Sequence, residues 1–65
     1  MPTTEQIREA LIREDRVYCE RNYYTSTGYA CFEGCCRDFD LTLDGVIDFI
    51  VECGYLENVV IEIVH

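Results

Sequence analysis

Five cysteines supply the most reactive side chains in this chain of 65 residues. Cys31, Cys35 and Cys36 lie close together in one segment, whereas Cys19 and Cys53 stand alone. Protein zinc sites are commonly built from two pairs of ligands, and the two cysteines of a pair are two to four residues apart. The spacing of Cys31 and Cys35 matches one such pair.

The second pair of zinc ligands has no matching motif in the sequence. It would have to be assembled from Cys19, Cys53 or His65, and none of these lies close to another. Cys19, Cys31 and Cys53 fall at positions that favour burial as small apolar side chains. The expectation is therefore no metal and no cofactor. The alternative is a zinc site that uses Cys31, Cys35, Cys36 and Cys53.

The cysteines also bear on compartment and catalysis. An odd number of cysteines, without a signal peptide, predicts a reducing, cytoplasmic environment. Cys36 beside Arg37 could be a nucleophile, but its only imidazole partner would be His65 at the terminus, where chains fray. No phosphate-binding loop or hydrolase motif is present. We expect the protein not to be an enzyme.

Acidic side chains form a second group, and their regular spacing suggests a binding surface. Asp44, Asp48 and Glu52 recur every four residues, and Asp40 precedes them. On a helix this spacing gives a row of charges with steps of about 6 Å, close to the separation of successive phosphates on a nucleic-acid strand. The row predicts a surface that imitates a phosphate backbone and occupies a basic groove. The alternative is a solvated helix face.

Tyrosines form a third group, centred on Tyr23, Tyr24 and Tyr29. Tyrosine and arginine are enriched at protein interfaces, so these three rings near Arg21 could form a contact patch. They could equally cover a thin core, because a tyrosine ring can be buried while its hydroxyl stays in water.

The overall charge restricts the partners. There are 13 acidic and 5 basic residues, all five of them arginine, which gives a net charge of −8. Six acids and all five arginines lie in residues 1–37, for −1, and seven acids with no base lie in residues 38–65, for −7. Direct nucleic-acid binding and docking on an anionic membrane are excluded by this balance. No apolar run is long enough to span a bilayer.

The elements that would position these groups follow from capping residues and periodicity. A capping box at Thr3 and Gln6 predicts a helix at about 4–16. Strands at 17–24 and 29–33 are predicted around a turn, the alternative being a first helix that extends through Tyr24. An irregular connection through 34–40 is predicted to follow. A second helix is predicted at about 42–53, capped by Thr42 or Asp40 and ended by a left-handed Gly54. The β-branched run 59–64 predicts a final strand.

These elements predict one small α+β domain in the order α-β-β-α-β. Both helices should pack on one face of a small, mainly antiparallel sheet. The last strand is apolar on both faces apart from Glu62, so an open edge there would invite aggregation. It should therefore be central in the sheet or paired across a two-fold axis in a homodimer.

The function expected from the sequence is a non-enzymatic protein-binding module. Its specific form is a small acidic inhibitor of a basic, nucleic-acid-binding protein. Phage and mobile-element proteins that block host defence, such as anti-CRISPR and anti-restriction proteins, act in this way as a class. The alternatives are a small zinc-binding domain on cysteine ligands and a self-associating regulatory or structural protein.

Overall fold

The computed structural model describes residues 2–64 and begins with helix α1, Thr4–Ile12. The Thr3 side chain accepts a hydrogen bond of 3.1 Å from the Gln6 backbone N–H. The Gln6 side chain accepts one of 2.9 Å from the Thr3 N–H in return. The predicted capping box is confirmed, because these two bonds satisfy backbone donors that the first turn leaves without partners.

Helix α1 ends earlier than the predicted boundary at residue 16. Glu14 takes a left-handed conformation with φ 62°. The Asp15 N–H donates to the Ala10 carbonyl at 2.9 Å, and the Glu14 N–H donates to the Leu11 carbonyl at 3.2 Å. This is a Schellman ending, a motif that usually has glycine at its left-handed position. The sequence has glutamate there, so the boundary could not be located from residue types.

Five strands form a single antiparallel sheet in the order β4-β3-β2-β1-β5. The strands are β1 Arg16–Tyr18, β2 Asn22–Thr25, β3 Gly28–Cys31, β4 Arg37–Phe39 and β5 Val60–Glu62. The turn predicted around Ser26 and Thr27 joins β2 to β3. The predicted strand 17–24 is in fact two strands, because the chain reverses at residues 19–21 and pairs β1 with β2.

Strand β4 lies in the segment predicted to be an irregular connection, and that prediction was wrong. Its residues Arg37 and Phe39 pair with Ala30 and Gly28 of β3. A Cβ atom at Gly28 would overlap the Asp38 carbonyl oxygen, so the close approach of the two strands requires glycine. Arg-Asp-Phe carries little β-branched character, so the strand depends on this pairing more than on its own propensity.

Helix α2, Leu43–Glu52, confirms the predicted second helix. The Thr42 side chain caps it by accepting a hydrogen bond of 3.0 Å from the Gly45 N–H. At the other end Gly54 is left-handed with φ 72°, and the Tyr55 N–H donates to the Ile50 carbonyl at 3.1 Å. This is the Schellman ending that the sequence predicted. A 3-10 turn, Leu56–Asn58, leads to β5.

Strand β5 is shorter than the predicted run 59–64, and it pairs with β1 at an edge of the sheet. It is therefore not central, which corrects one of the two predicted arrangements. The other arrangement, pairing across a two-fold axis, stays a prediction. The apolar residues that follow the strand, Ile63 and Val64, are exposed.

The core lies between the two helices and one face of the sheet. Its fully buried side chains come from both helices and from β1: Ile7, Leu11, Val17, Val46 and Ile50. The molecule is thus an α+β domain in which two helices pack on an antiparallel sheet, as predicted. No helix within the described residues covers the opposite face of the sheet. No helix within residues 2–64 is long and apolar enough to cross a membrane.

Candidate functional site

The thiols of Cys31, Cys35 and Cys36 converge at one end of the sheet. Their three Sγ atoms all lie within 4.8 Å of one another. The Sγ atoms of Cys31 and Cys35 are only 2.9 Å apart. Cys31 is partly buried, while Cys35 and Cys36 are exposed, so the cluster is open to solvent on one side. We call these three residues the thiol cluster.

The thiol cluster is held by the tight loop that joins β3 to β4. Cys31 is the last residue of β3, and its N–H donates to the Cys36 carbonyl at 2.8 Å, which closes the loop. Gly34 adopts φ 73°, and its N–H donates to the Cys31 carbonyl at 2.9 Å. A left-handed residue suits glycine, and here it turns the chain so that Cys35 folds back over Cys31.

The thiols change one another's acidity. The pKa of Cys31 falls to about 7, because Cys35 donates a hydrogen bond to its thiolate and the Glu33 backbone adds another. The pKa of Cys35 rises to about 11, because its proton is held in the bond to Cys31. Cys31 is therefore the first thiol of the pair to lose its proton as the pH rises through neutrality.

This arrangement fits a thiophilic metal ion. Tetrahedral zinc binds sulfur at about 2.3 Å, which places neighbouring sulfur atoms about 3.8 Å apart. The 4.8 Å envelope of the thiol cluster meets that requirement with small side-chain movements. Among residues 2–64 the group contains no fourth ligand. One coordination position would therefore be left for water or an external ligand.

The structure separates the other candidate ligands from the thiol cluster. Cys53 is exposed and not part of it, and the prediction that Cys53 is a core residue was wrong. Cys53 follows the last turn of α2, on the solvent side of the helix end. Cys31 is only partly buried, whereas Cys19 is buried as predicted. His65 lies outside the described residues.

A cavity of about 300 Å³ adjoins the thiol cluster. Its lining includes the carboxylates Glu20 and Glu33 and the ring of Tyr55. The sequence did not single out Glu20 or Glu33, because only the fold of the loop brings them beside the cysteines. Arg21 also lines the cavity, so its two carboxylates outnumber its basic side chains by one, a balance that favours a cation.

The acidic row is only partly a free surface. Asp44 forms an ion pair of 2.6 Å with Arg8 of α1, so it joins the two helices. Asp48 and Glu52 are exposed on α2, and neither forms a salt bridge within residues 2–64. Asp40 is exposed in the turn before the helix, in a left-handed conformation with φ 70°.

The three predicted interface tyrosines do not share one surface. Tyr23 is exposed on the face of the sheet that has no helix. Tyr24 points to the opposite face and is only 3% exposed. Tyr29 stacks on Phe49 of α2, with ring centroids 4.0 Å apart. Alternation along the strands separates neighbours such as Tyr23 and Tyr24, so sequence proximity was misleading.

An aromatic cluster on the open sheet face was missed in the sequence. Phe32 contacts Tyr18 and Tyr23, with ring centroids 6.2 and 5.6 Å away. These rings line a cavity of about 520 Å³. The Tyr18 hydroxyl donates to Glu62 at 2.8 Å, and this bond raises the pKa of Tyr18. The register of β1 and β2 pairs Tyr18 with Tyr23, and Phe32 joins them after β3, where its N–H donates to the Arg21 carbonyl.

Comparison with known proteins adds no functional assignment. No protein family, no curated protein and no solved structure was found to match the chain. The chemistry of the side chains is therefore the basis for any proposal about function.

Proposed function

We propose that the protein is a small, non-enzymatic metal-binding domain whose ligands are Cys31, Cys35 and Cys36. The observation that supports this is the convergence of three Sγ atoms within 4.8 Å. Three thiolates form a soft ligand set, and such sets select zinc and copper(I) over magnesium or calcium. Zinc is the metal we assign, because it accepts thiolates in tetrahedral geometry and needs no redox partner.

Two further features support a zinc site. The lowered pKa of Cys31 makes this ligand easier to deprotonate near neutral pH, which reduces the competition between protons and metal. The carboxylates of the adjoining cavity attract a divalent cation to the loop. Because the fourth position is open, we expect an exchangeable ion and not a closed structural site.

Metal titration of the fully reduced protein tests this function. We expect one zinc ion per chain, in competition with a chromophoric chelator. Cobalt(II) in its place should show the charge-transfer absorption of thiolate ligands and the visible bands of tetrahedral geometry. Zinc far below one per chain, or a cobalt spectrum without thiolate bands, would contradict the proposal.

Single cysteine variants identify the ligands. Cys31→Ser, Cys35→Ser and Cys36→Ser should each weaken zinc binding by about tenfold or more, the effect typical of disturbing a ligand set. Cys53→Ser is the matched control, since it removes an exposed thiol outside the thiol cluster. Equal losses in Cys53→Ser and the three ligand variants would show that binding is not specific to the thiol cluster.

A second candidate function uses the acidic surface of α2. The supporting observation is that Asp48 and Glu52 are exposed and form no salt bridge within the described chain. Residues 38–65 contain seven acids and no base, and the exposed acids of α2 among them would complement a basic protein. We propose, as the alternative, that this acidic surface imitates nucleic-acid phosphates and inhibits a nucleic-acid-binding partner. Asp44 is not a free charge of the surface, because its carboxylate is paired with Arg8.

Charge reversal tests the second candidate. The protein, immobilised, should retain nucleic-acid-binding proteins from a bacterial lysate, and a DNA oligonucleotide should compete for them. Asp48→Lys with Glu52→Lys should abolish this retention. Glu5→Lys with Glu14→Lys changes the charge equally on α1 and its end, and should leave retention in place. Retention of the same proteins by both double variants would contradict mimicry by α2.

A further inference from the structure

The thiol cluster is not symmetric, and its asymmetry points to a second reaction. The Sγ atoms of Cys31 and Cys35 are 2.9 Å apart, while Cys36 is placed only within the 4.8 Å envelope. A disulfide bond has an S–S length of about 2.05 Å, so the first pair must close by less than about 1 Å. Rotation of the exposed Cys35 side chain can supply that movement.

Backbone geometry makes the pairing selective. The loop is closed by the hydrogen bond from Cys31 N–H to the Cys36 carbonyl, and within it the Sγ atom of Cys35 lies 2.9 Å from the Sγ atom of Cys31. Cys35 and Cys36 are adjacent, so their Cα atoms are about 3.8 Å apart, below the usual range for a disulfide. Cys19 is buried and Cys53 is outside the cluster, so neither competes.

We infer that Cys31 and Cys35 form a reversible dithiol–disulfide couple that reacts with low-molecular-weight disulfides. One thiolate attacks a sulfur of the small disulfide, which forms a mixed disulfide and releases one small thiolate. The second cysteine, as its thiolate, attacks the protein sulfur of that mixed disulfide and releases the other small thiolate. Two cysteines are oxidised, one small disulfide is reduced to two thiols, and the cysteine protons end on those thiols.

This reaction regulates the metal site, and in that respect it rests on the proposed function. The disulfide removes two of the three sulfur ligands, so oxidation should release the ion. A bound ion should in turn slow oxidation, because coordinated thiolates are less available as nucleophiles. The exposure of Cys35 provides access for the small disulfide.

Oxidation of the reduced, metal-free protein by oxidised glutathione tests the couple. Remaining thiols are alkylated, and the chain is then cut by a protease specific for glutamate. Cleavage after Glu33 separates Cys31 from Cys35, so the expected disulfide is seen as two linked peptides. The product should be monomeric, lighter by two hydrogen atoms, and restored by a reducing agent.

Neighbouring cysteine variants make the test specific. Cys53→Ser should give the linked peptides at the wild-type rate, and Cys36→Ser should still give them. Cys31→Ser should not give them, and Cys35→Ser should form them at least about tenfold more slowly, through Cys36. Equal rates in Cys35→Ser and Cys36→Ser, or a stable glutathione adduct in place of the disulfide, would overturn the inference. Circular dichroism of each variant checks that it is folded.

The two proposals fail separately. Oxidation is measured without metal, and zinc binding is measured on the reduced protein without glutathione. If the linked peptides form but zinc does not bind, the redox couple stands and the metal-binding function is contradicted. Zinc binding without linked peptides would do the reverse. Release of zinc from the loaded protein by oxidised glutathione is expected only if both hold.

Discussion

At the scale of single residues, the environment of each side chain decides what its proton does. Cys31, partly buried at the end of β3, has its pKa lowered because a neighbouring thiol donates to its thiolate. Tyr24 shows the opposite effect, since burial under the helices raises the pKa of its hydroxyl, and the contact with Cys19 at 3.5 Å raises it further. The first residue is ready for chemistry, while the second is kept neutral in the core.

Alkaline stability should therefore depend on Tyr24. Its pKa is raised in the folded protein, so the folded state keeps the proton that an unfolded tyrosine loses above about pH 10. Stability from this group is complete below that pH and falls as the pH rises, by at most about 1.4 kcal/mol per pH unit. Tyr24→Phe should reduce the decrease in unfolding free energy with pH, measured by urea unfolding from roughly pH 9 to 11, on either side of the ordinary tyrosine pKa.

The exposed Tyr23 provides the control for this prediction. Tyr23→Phe removes a hydroxyl from the same strand but from the open face, where the ring is 43% exposed. We expect the wild-type slope in that variant. An unchanged slope in Tyr24→Phe would show that its buried hydroxyl does not control alkaline unfolding.

At the scale of elements, the two helices end in the same motif with different residues. In α2 the left-handed position is Gly54, and in α1 it is Glu14. A residue with a Cβ atom pays about 1 kcal/mol or more in this conformation, whereas glycine does not. The residue after Glu14 is held in place, because the Asp15 side chain is buried and accepts a hydrogen bond of 2.9 Å from Arg13 Nε. This anchoring helps α1 to keep the motif without glycine.

Replacing Glu14 with glycine should stabilise the protein. We expect Glu14→Gly to raise the free energy of unfolding by about 0.5–1 kcal/mol, since relief of strain exceeds the greater entropy of the unfolded chain. Urea unfolding measures it. Glu9→Gly, within α1, should instead destabilise by about 1 kcal/mol. A loss of stability in Glu14→Gly would mean that the left-handed residue is not strained.

At the scale of the whole molecule, the core and the thiol cluster are separate. The buried side chains lie between the helices and the covered sheet face, whereas the thiol cluster sits in an exposed loop at one end of β3 and β4. No cysteine of the thiol cluster belongs to the core. Metal binding should therefore add to the stability of a protein that already folds.

Removal of metal should leave the fold intact. With a chelator present, we expect unchanged far-ultraviolet circular dichroism and a cooperative thermal transition. Zinc at about 100 times its Kd should add about 2.7 kcal/mol to the stability, because it binds only the folded state. At the same zinc concentration Cys31→Ser should lose about half of this gain or more, and Cys53→Ser should keep it. Unfolding by chelator alone would show that the metal is structural.

The local part of this fold was accessible from the sequence, and the long-range part was not. Thr3 with Gln6, Thr42 and Gly54 mark helix ends through bonds to residues a few positions away, so their types suffice. Strand β4 was not predicted, because Arg37–Phe39 is defined by its pairing with β3. The end of α1 was misplaced, because Glu14 stands where glycine is usual. The edge position of β5 also depends on pairing with β1.

By itself, then, the sequence determined the α+β class, the helix caps and the acidity of residues 38–65. Only the tertiary structure decided which candidate groups meet. It gathered Cys31, Cys35 and Cys36, left Cys53 outside, divided the tyrosines between two faces and paired Asp44 with Arg8. The reason is physical: strand register and loop closure set which side chains face one another, and both arise from contacts between residues distant in sequence.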